Sequence, residues 1–387
     1  MVTPHKSDDF CVHNNTPLKC ICHLVLGLPM GGTEGLVDKM LRNPPSGFRS
    51  SVICLDEIGV LGEAARKDGF DVTLISRGKH FDWKVARRIA RHTKKCGVGI
   101  IQCHHYTPWC YGALARLWHP ALRVIFTEHG RLYPDNPSWK RRIFNRLILP
   151  LTNVITAVSP FVAQALKTVE WIPLRRVQII YNGVDDSRFN NLPSKKDLRR
   201  KLNLRDEFIY FILCSRLDPI KWIEGLLAAY RRVLDAFPQS GLILVGDGEA
   251  RKDIESNIEK LNLKEHVILA GYQKNIPEWL AAADIFVLSS HSEGTSVSLI
   301  ESMAAGLPSV VTNAGGNPYV VQNEITAKVV PVRDEEALAD AMLRLAGDSE
   351  LRGRYSVNAR RRFEEEFRLA NMMDSYHRLY ESLTGKH

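Results

Sequence analysis

Short apolar runs rich in valine, isoleucine and leucine recur along the chain, each followed by a stretch of helical length and period. A continuous apolar run bounded by turn residues is the mark of a strand buried on both faces, and its alternation with helices is the pattern of βαβ units. In the first half this predicts strands near 21–27, 51–55, 71–75, 99–103, 123–127 and 153–157. Helices are predicted near 34–43, 61–68, 82–96, 109–118, 138–149 and 159–167. The second half repeats the pattern, with strands near 207–214, 241–246, 266–270, 284–288, 308–312 and 328–330. Its helices are expected near 222–236, 250–261, 275–282, 296–305, 317–322 and 335–346.

Residues 182–206, NGVDDSRFNNLPSKKDLRRKLNLRD, are polar, carry Asn182-Gly183 and Pro193, and interrupt the alternation as a hinge would. After Gly353 one long helical stretch is expected to run to near Leu383. It spaces Phe363, Phe367, Met372, Met373, Tyr376, Leu379 and Tyr380 along one apolar stripe, a packing face. The 387 residues suit two domains. The expected fold class is therefore α/β, with two Rossmann-like parallel-sheet domains at 1–185 and 186–360 and a C-terminal helical segment at 361–387.

Composition changes little here: 45% hydrophobic and 25% charged residues is globular, and excludes collagenous, disordered and disulfide-stapled classes. Charge is more telling. Residues 1–200 hold 30 Lys+Arg against 16 Asp+Glu (+14) and residues 201–387 hold 22 against 27 (−5), which sum to the overall +9. A basic first half suits an anionic partner such as lipid headgroups or a phosphorylated acceptor, or is a solvated surface. Nucleic acid is not expected, because neither interleaved aromatics nor a nucleic-acid-binding motif accompanies the charge.

The longest apolar candidate, 143–166, is broken by Arg146, Pro150 and Asn153, so no membrane span is expected. Asp8 and Asp9 precede the run CICHLVLGLPM, unlike the basic start of a signal peptide, and a cytoplasmic chain with reduced cysteines is expected. Cys20 and Cys22 share one strand face and read as small apolar fillers rather than as a metal site with Cys103, His104 and Cys110.

The common phosphate-loop, zinc-protease and nucleophile-elbow motifs are missing, and so is any Asp-x-Asp. Three candidate segments sit at strand ends, where doubly wound sheets place ligands. Gly31-Gly32-Thr33-Glu34 lets the backbone turn tightly into a helix whose free N–H groups could hold an anion, or is a structural turn. Ser215-Arg216-Leu217-Asp218-Pro219-Ile220-Lys221 presents two cations that could grip a diphosphate, or that pair with nearby carboxylates. ADIFVLSSHSEGTSVSLIESMAAGLPSVVTNAGG, 283–316, places Glu293 before a helix and Glu301 two turns along it. Those carboxylates could accept hydroxyls of a sugar or ribose; a capped helix with a buried, paired glutamate is the other reading.

The ordered set Gly31-Gly32-Thr33-Glu34, IIQCHHY, TEHG at 127–130, NGVD at 182–185, RLDPIK at 216–221, VGDGE at 245–249, AGY at 270–272, Glu293…Glu301 and Gly315-Gly316 resembles the family 4 retaining glycosyltransferases of the GT-B fold. The resemblance covers about residues 20 to 380. It implies two lobes facing across a cleft, a C-terminal helix crossing back, and transfer of a sugar from a nucleotide-sugar to a hydroxyl acceptor in polysaccharide, lipid-linked glycan or glycolipid synthesis. It further implies that Arg216 and Lys221 stabilise the leaving diphosphate without metal or other cofactor, and that Glu301 binds the ribose. Glu293 and the backbone of Gly294, Thr295, Ser296 and Val297 would hold sugar and phosphate, with Gly31 and Gly32 closing over the diphosphate. His104 or His105 would lie near the reacting carbon, His129 would line the cleft, and Asp247, Gly271 and Tyr272 would lie near the base. Ser215 and Trp222 stand where the family has glycines, and Tyr319 where it has a glutamate. A catalytically silent nucleotide-sugar-binding subunit is the alternative function. The basic half is expected to meet a lipid-linked or anionic acceptor at an anionic inner membrane face.

Overall fold

A computed structural model describes residues 19–130 and 138–385; the expectations about Asp8 and Asp9 lie outside them. The first half begins β1 (Lys19–Val25), α1 (Gly32–Arg42), β2 (Phe48–Cys54), α2 (Gly59–Lys67), β3 (Asp71–Leu74), α3 (Trp83–Lys95) and β4 (Val98–His104). It continues α4 (Tyr106–Ala115), β5 (Arg123–Glu128), α5 (Trp139–Ile148), β6 (Val154–Ala157), α6 (Pro160–Glu170) and β7 (Val177–Ile179). The second half runs α7 (Lys195–Lys201), β8 (Ile209–Cys214), α8 (Ile223–Ala236), β9 (Ser240–Val245), α9 (Arg251–Lys260), β10 (Val267–Gly271) and α10 (Ile276–Ala282). Then come β11 (Ile285–Leu288), α11 (Val297–Ala304), β12 (Ser309–Thr312), α12 (Asn317–Val320), β13 (Ala327–Val330), α13 (Glu335–Gly347), α14 (Ser349–Arg362) and α15 (Leu369–Thr384).

The strands form two sheets in the orders β3-β2-β1-β4-β5-β6-β7 and β10-β9-β8-β11-β12-β13. The described pairings are parallel, as the alternation requires. β8 (IYFILC) and β11 (IFVL) lie at the centre of the second sheet, and β11 is buried throughout, which is why they read as unbroken apolar runs. Strand order reverses between β1 and β4 and between β8 and β11. Such reversals open a crevice at the carboxyl ends of the strands.

Close packing divides the chain into two units. One holds the described residues to Cys103, Thr107–Val124 and the residues from Leu383; the other holds His104–Tyr106 and Ile125–Ser382. In the first, Val25, Val37, Leu41, Val52, Cys54 and Val72 form a buried core. In the second, Phe211, Leu213, Leu226, Tyr230, Phe286, Val287 and Met342 lie in a larger one. Among the described residues no helix is long and apolar enough to cross a membrane.

The segment 182–206 contains a 3-10 turn at Asp186–Phe189 and α7, whose N-cap Ser194 accepts from Asp197 N. One prediction is corrected. The C-terminal stretch is not one helix from Gly353. It starts earlier, at Ser349, because the N-cap Asp348 accepts from Leu351 N, and it breaks at a π-turn, Phe363–Phe367, followed by extended Arg368. The break lets Arg368 bridge Val184: Val184 N donates to Phe367 O (2.9 Å) and Leu369 N to Val184 O (2.8 Å). Phe363 and Phe367 enter the second sheet's core, whereas Met372 reaches Gly183 N through its sulfur at 3.2 Å.

Candidate active site

At the end of β8 the backbone is locked to the loop after β9. Ser215 N donates to Val245 O, Leu217 N to Asp247 O and Ala250 N to Leu217 O, at 3.0, 3.0 and 2.9 Å. Gly246, at φ +138°, lies where any Cβ would strike the Ser215 carbonyl. This interlock carries the chain through Arg216 into the turn Pro219–Lys221. Lys221 Nζ lies 2.6 Å from Glu293 Oε1, with side chains only 17% and 10% exposed. Arg216 is different: it pairs with Asp218 and its side chain is 77% exposed. The structure thus brings Lys221 to Glu293 and sets Arg216 at the rim. Trp222 adopts φ +48°, a conformation suited to glycine, and packs against Gly225 and His291.

The loop after β11 completes the arrangement. Ser289 Oγ donates to Lys221 O (2.7 Å), His291 N to Ile220 O (2.8 Å) and Ser290 Oγ to Glu293 Oε1 (2.6 Å). A Cβ on Gly294 would lie 2.5 Å from His129 O and 2.9 Å from Gly130 Cα. Ser159 Oγ donates to Gly294 O (2.9 Å), and Thr295 Oγ1 to Val158 O (2.8 Å). The helix α11 then starts at Val297, with Ser296 Oγ accepting from Leu299 N at 3.3 Å and the remaining first-turn N–H groups available to an anion. Glu301 on α11 pairs with Arg188 at 3.6 Å, and its charge contributes to raising the Cys214 thiol, which burial raises most. The reading of a capped helix with a paired glutamate is what the structure shows: Glu293, in the loop after β11, pairs with Lys221, and Ser296 caps α11, which carries Glu301.

Asp247 is exposed, accepts from Gly248 N at 2.8 Å and pairs with Arg251 at 3.2 Å. Gly271, at φ +66°, accepts from Gly246 N (2.8 Å), and Tyr272 beside it is exposed.

The histidines form one cluster. His104 ends β4 fully buried, its Nδ1 2.8 Å from His129 Nε2 with the rings stacked. Among the described residues His129 Nδ1 is buried with no hydrogen-bond partner, and burial, reinforced by His105, lowers its pKa well below the ordinary 6.5. His105, at φ +73°, is 37% exposed and its Nδ1 lies 3.4 Å from Glu128 Oε1. Of the two neighbours, His105 reaches solvent and His104 backs His129.

In the first unit Gly31, in extended backbone, is the N-cap of α1, and both Gly31 and Gly32 are exposed. Cys20, Cys22 and Cys103 are buried free thiols, raised in pKa mainly by burial. Among the described residues one group could hold a metal: Asp71, His92 and Cys96, whose ligand atoms lie within 4.8 Å of one another. It shares no residue with the strand-end segments.

Sequence reasoning missed Arg188 as the partner of Glu301 and Ser290 as the partner of Glu293. Arg188 sits just after NGVD, and only folding brings that segment to α11. Tyr319 is partly exposed, its carbonyl held by Arg362 at 2.9 Å.

A family model described as Glycosyltransferase Family 4 matches residues 32–188, and one described as Glycosyl transferases group 1 matches residues 194–362. The chain belongs to the family 4 glycosyltransferases. It is 26% identical over 309 residues to the N-acetyl-alpha-D-glucosaminyl L-malate synthase of Bacillus anthracis, covering 78% of this chain and 79% of that one. It is 32% identical over 209 residues to a UDP-Gal:alpha-D-GlcNAc-diphosphoundecaprenol alpha-1,3-galactosyltransferase of Escherichia coli, covering 53% and 54% of the two chains. The crystal structure of Anabaena HepE in complex with UDP superposes with a TM-score of 0.82 at 20% identity, covering 94% of this chain and 99% of that one. This likeness places the two-sheet architecture of the glycosyltransferase in the GT-B fold.

Proposed function

We propose that this glycosyltransferase moves a sugar from a nucleotide-sugar to a hydroxyl acceptor with the anomeric configuration kept and without a metal ion. The carrying observation is the Lys221–Glu293 pair at 2.6 Å, held where strand order reverses between β8 and β11. A cation partly removed from water stabilises developing phosphate charge far better than one in bulk solvent. Lys221 neutralises the leaving diphosphate, and Arg216 swings from Asp218 to join it. The first-turn N–H groups of α11 and the backbone of Gly294 to Val297 hold phosphate oxygens and the sugar.

Glu293 orients Lys221 and accepts a sugar hydroxyl, Glu301 accepts ribose hydroxyls, and Asp247, Gly271 and Tyr272 border the base. His105, backed by His129 and His104, approaches the reacting carbon, and the exposed Gly31-Gly32 turn at the start of α1 offers backbone N–H groups to an anion. With no protein nucleophile required, the departing diphosphate takes the acceptor proton on the face it leaves. The UDP bound to HepE supports a nucleotide donor, and the diphosphoundecaprenol named for the E. coli relative supports a lipid-linked acceptor in glycan synthesis. The domain limits proposed for these roles are 1–185 for the acceptor side and 186–360 for the donor side.

A panel of UDP-, GDP- and ADP-sugars, scored by thermal shift and nucleotide release with and without EDTA, tests the reading. Stabilisation by one donor with EDTA-insensitive release is expected. Inverted product stereochemistry, or activity abolished by EDTA and restored by a divalent ion, would overturn the corresponding part.

A further inference from the structure

The helix α5, WKRRIFNRLI, is turned outward in an unusual way. Trp139, Ile143 and Leu147 are 66%, 54% and 67% exposed, each four residues from the next. At about 100° per residue they fall within about 80° of the helix circumference, so they form one solvent-facing stripe. Lys140 lies on one shoulder of that stripe, and Arg142 and Arg146 lie on the other. Among the described residues no carboxylate pairs with any of these three cations. Arg142 and Arg146 instead lie over the ring of Trp171, itself exposed, at 4.5 and 5.7 Å.

The opposite face is firmly seated. Asn145 donates to Glu170 Oε2 (2.8 Å), Tyr106 donates to Asn145 Oδ1 (2.8 Å), Arg141 pairs with Glu170, and Ile148 is buried. The exposed stripe is therefore the fixed outer face of an anchored helix rather than a fraying end.

We propose that α5 is a docking face for an anionic phospholipid bilayer, with Trp139, Ile143 and Leu147 entering the headgroup boundary while Lys140, Arg142 and Arg146 reach lipid phosphates. An apolar stripe between two rows of cations matches the chemistry of that boundary, where long basic side chains keep their charge among phosphates as their stems follow the apolar face inward. A second copy of the chain is disfavoured by the same charges, because stacking two such faces would oppose their cations.

The test is flotation of the full chain with vesicles of phosphatidylcholine alone or mixed with phosphatidylglycerol. Binding to the mixed vesicles is expected, weakening as salt rises. The triple variant Trp139→Ser, Ile143→Ser, Leu147→Ser and the double variant Lys140→Glu, Arg146→Glu should each bind at least about tenfold less, with unchanged melting because the replaced side chains are exposed. Three results would overturn the proposal: no binding to mixed vesicles, equal binding by the triple variant, or sedimentation showing a wild-type dimer that the triple variant abolishes.

Discussion

Lys221 Nζ meets Glu293 Oε1 at 2.6 Å although 72 residues separate them along the chain. The pair joins the turn after β8 to the loop after β11, and Ser290 shares the same carboxylate oxygen. Replacing Lys221 by Ala should lower turnover about 10²–10³-fold, the usual loss when a charge-stabilising group leaves an active site. Arg216→Ala should also lower turnover, yet its exposed side chain predicts a stability change within about 0.5 kcal/mol. Nucleotide release beside thermal melting checks both. Full turnover in Lys221→Ala would remove the assigned role.

Glycine positions separate steric need from helical habit. Gly294→Ala places a methyl 2.5 Å from the His129 carbonyl oxygen and should destabilise by about 2 kcal/mol or more. Gly353→Ala, at an exposed position of α14 with nothing within 4 Å of the new methyl, should stabilise by roughly 0.5–1 kcal/mol. Denaturation midpoints of the two variants should therefore move in opposite directions.

Acid should loosen the fold through buried imidazoles. Burial lowers His23 from 6.5 to about 4 and lowers His129 well below 6.5. Below about 6.5 the unfolded chain binds protons that the folded histidines refuse, so stability is complete above that pH and falls toward pH 4. Each histidine contributes a slope of up to about 1.4 kcal/mol per pH unit. His23→Gln should reduce that slope in melting curves taken between these limits; an unchanged slope would contradict the assignment.

The buried thiols supply a further check. Cys22 and Cys103 are enclosed and raised well above 9.0 chiefly by burial, whereas Cys96 is only partly covered. In the native chain a maleimide should label Cys96 far faster than Cys22 or Cys103. Mass mapping after brief labelling measures it.

Much of this was legible from the chain. The strand near 284–288 is observed at Ile285–Leu288 and the helix near 222–236 at Ile223–Ala236, because a buried parallel strand must be apolar along its whole length. The three-residue β7, VQI, is too short for its pattern to rise above the loops around it. The break at Phe363–Phe367 was invisible for another reason: those residues are good helix material, and what ends the helix is the bridge from Val184 to Arg368, a contact remote in sequence.

The same division runs through the site. Strand-end position and residue type singled out Lys221, Glu293 and Glu301, since reversals of strand order put charged and glycine-rich turns at one rim. That Lys221 faces Glu293 while Arg216 turns to Asp218, that Arg188 serves Glu301, and that His104 is enclosed while His105 is exposed were decided only by folding. Periodicity reports which side of an element faces the core. It carries no information on which distant loop a side chain will meet, because that is set by sheet order and backbone packing.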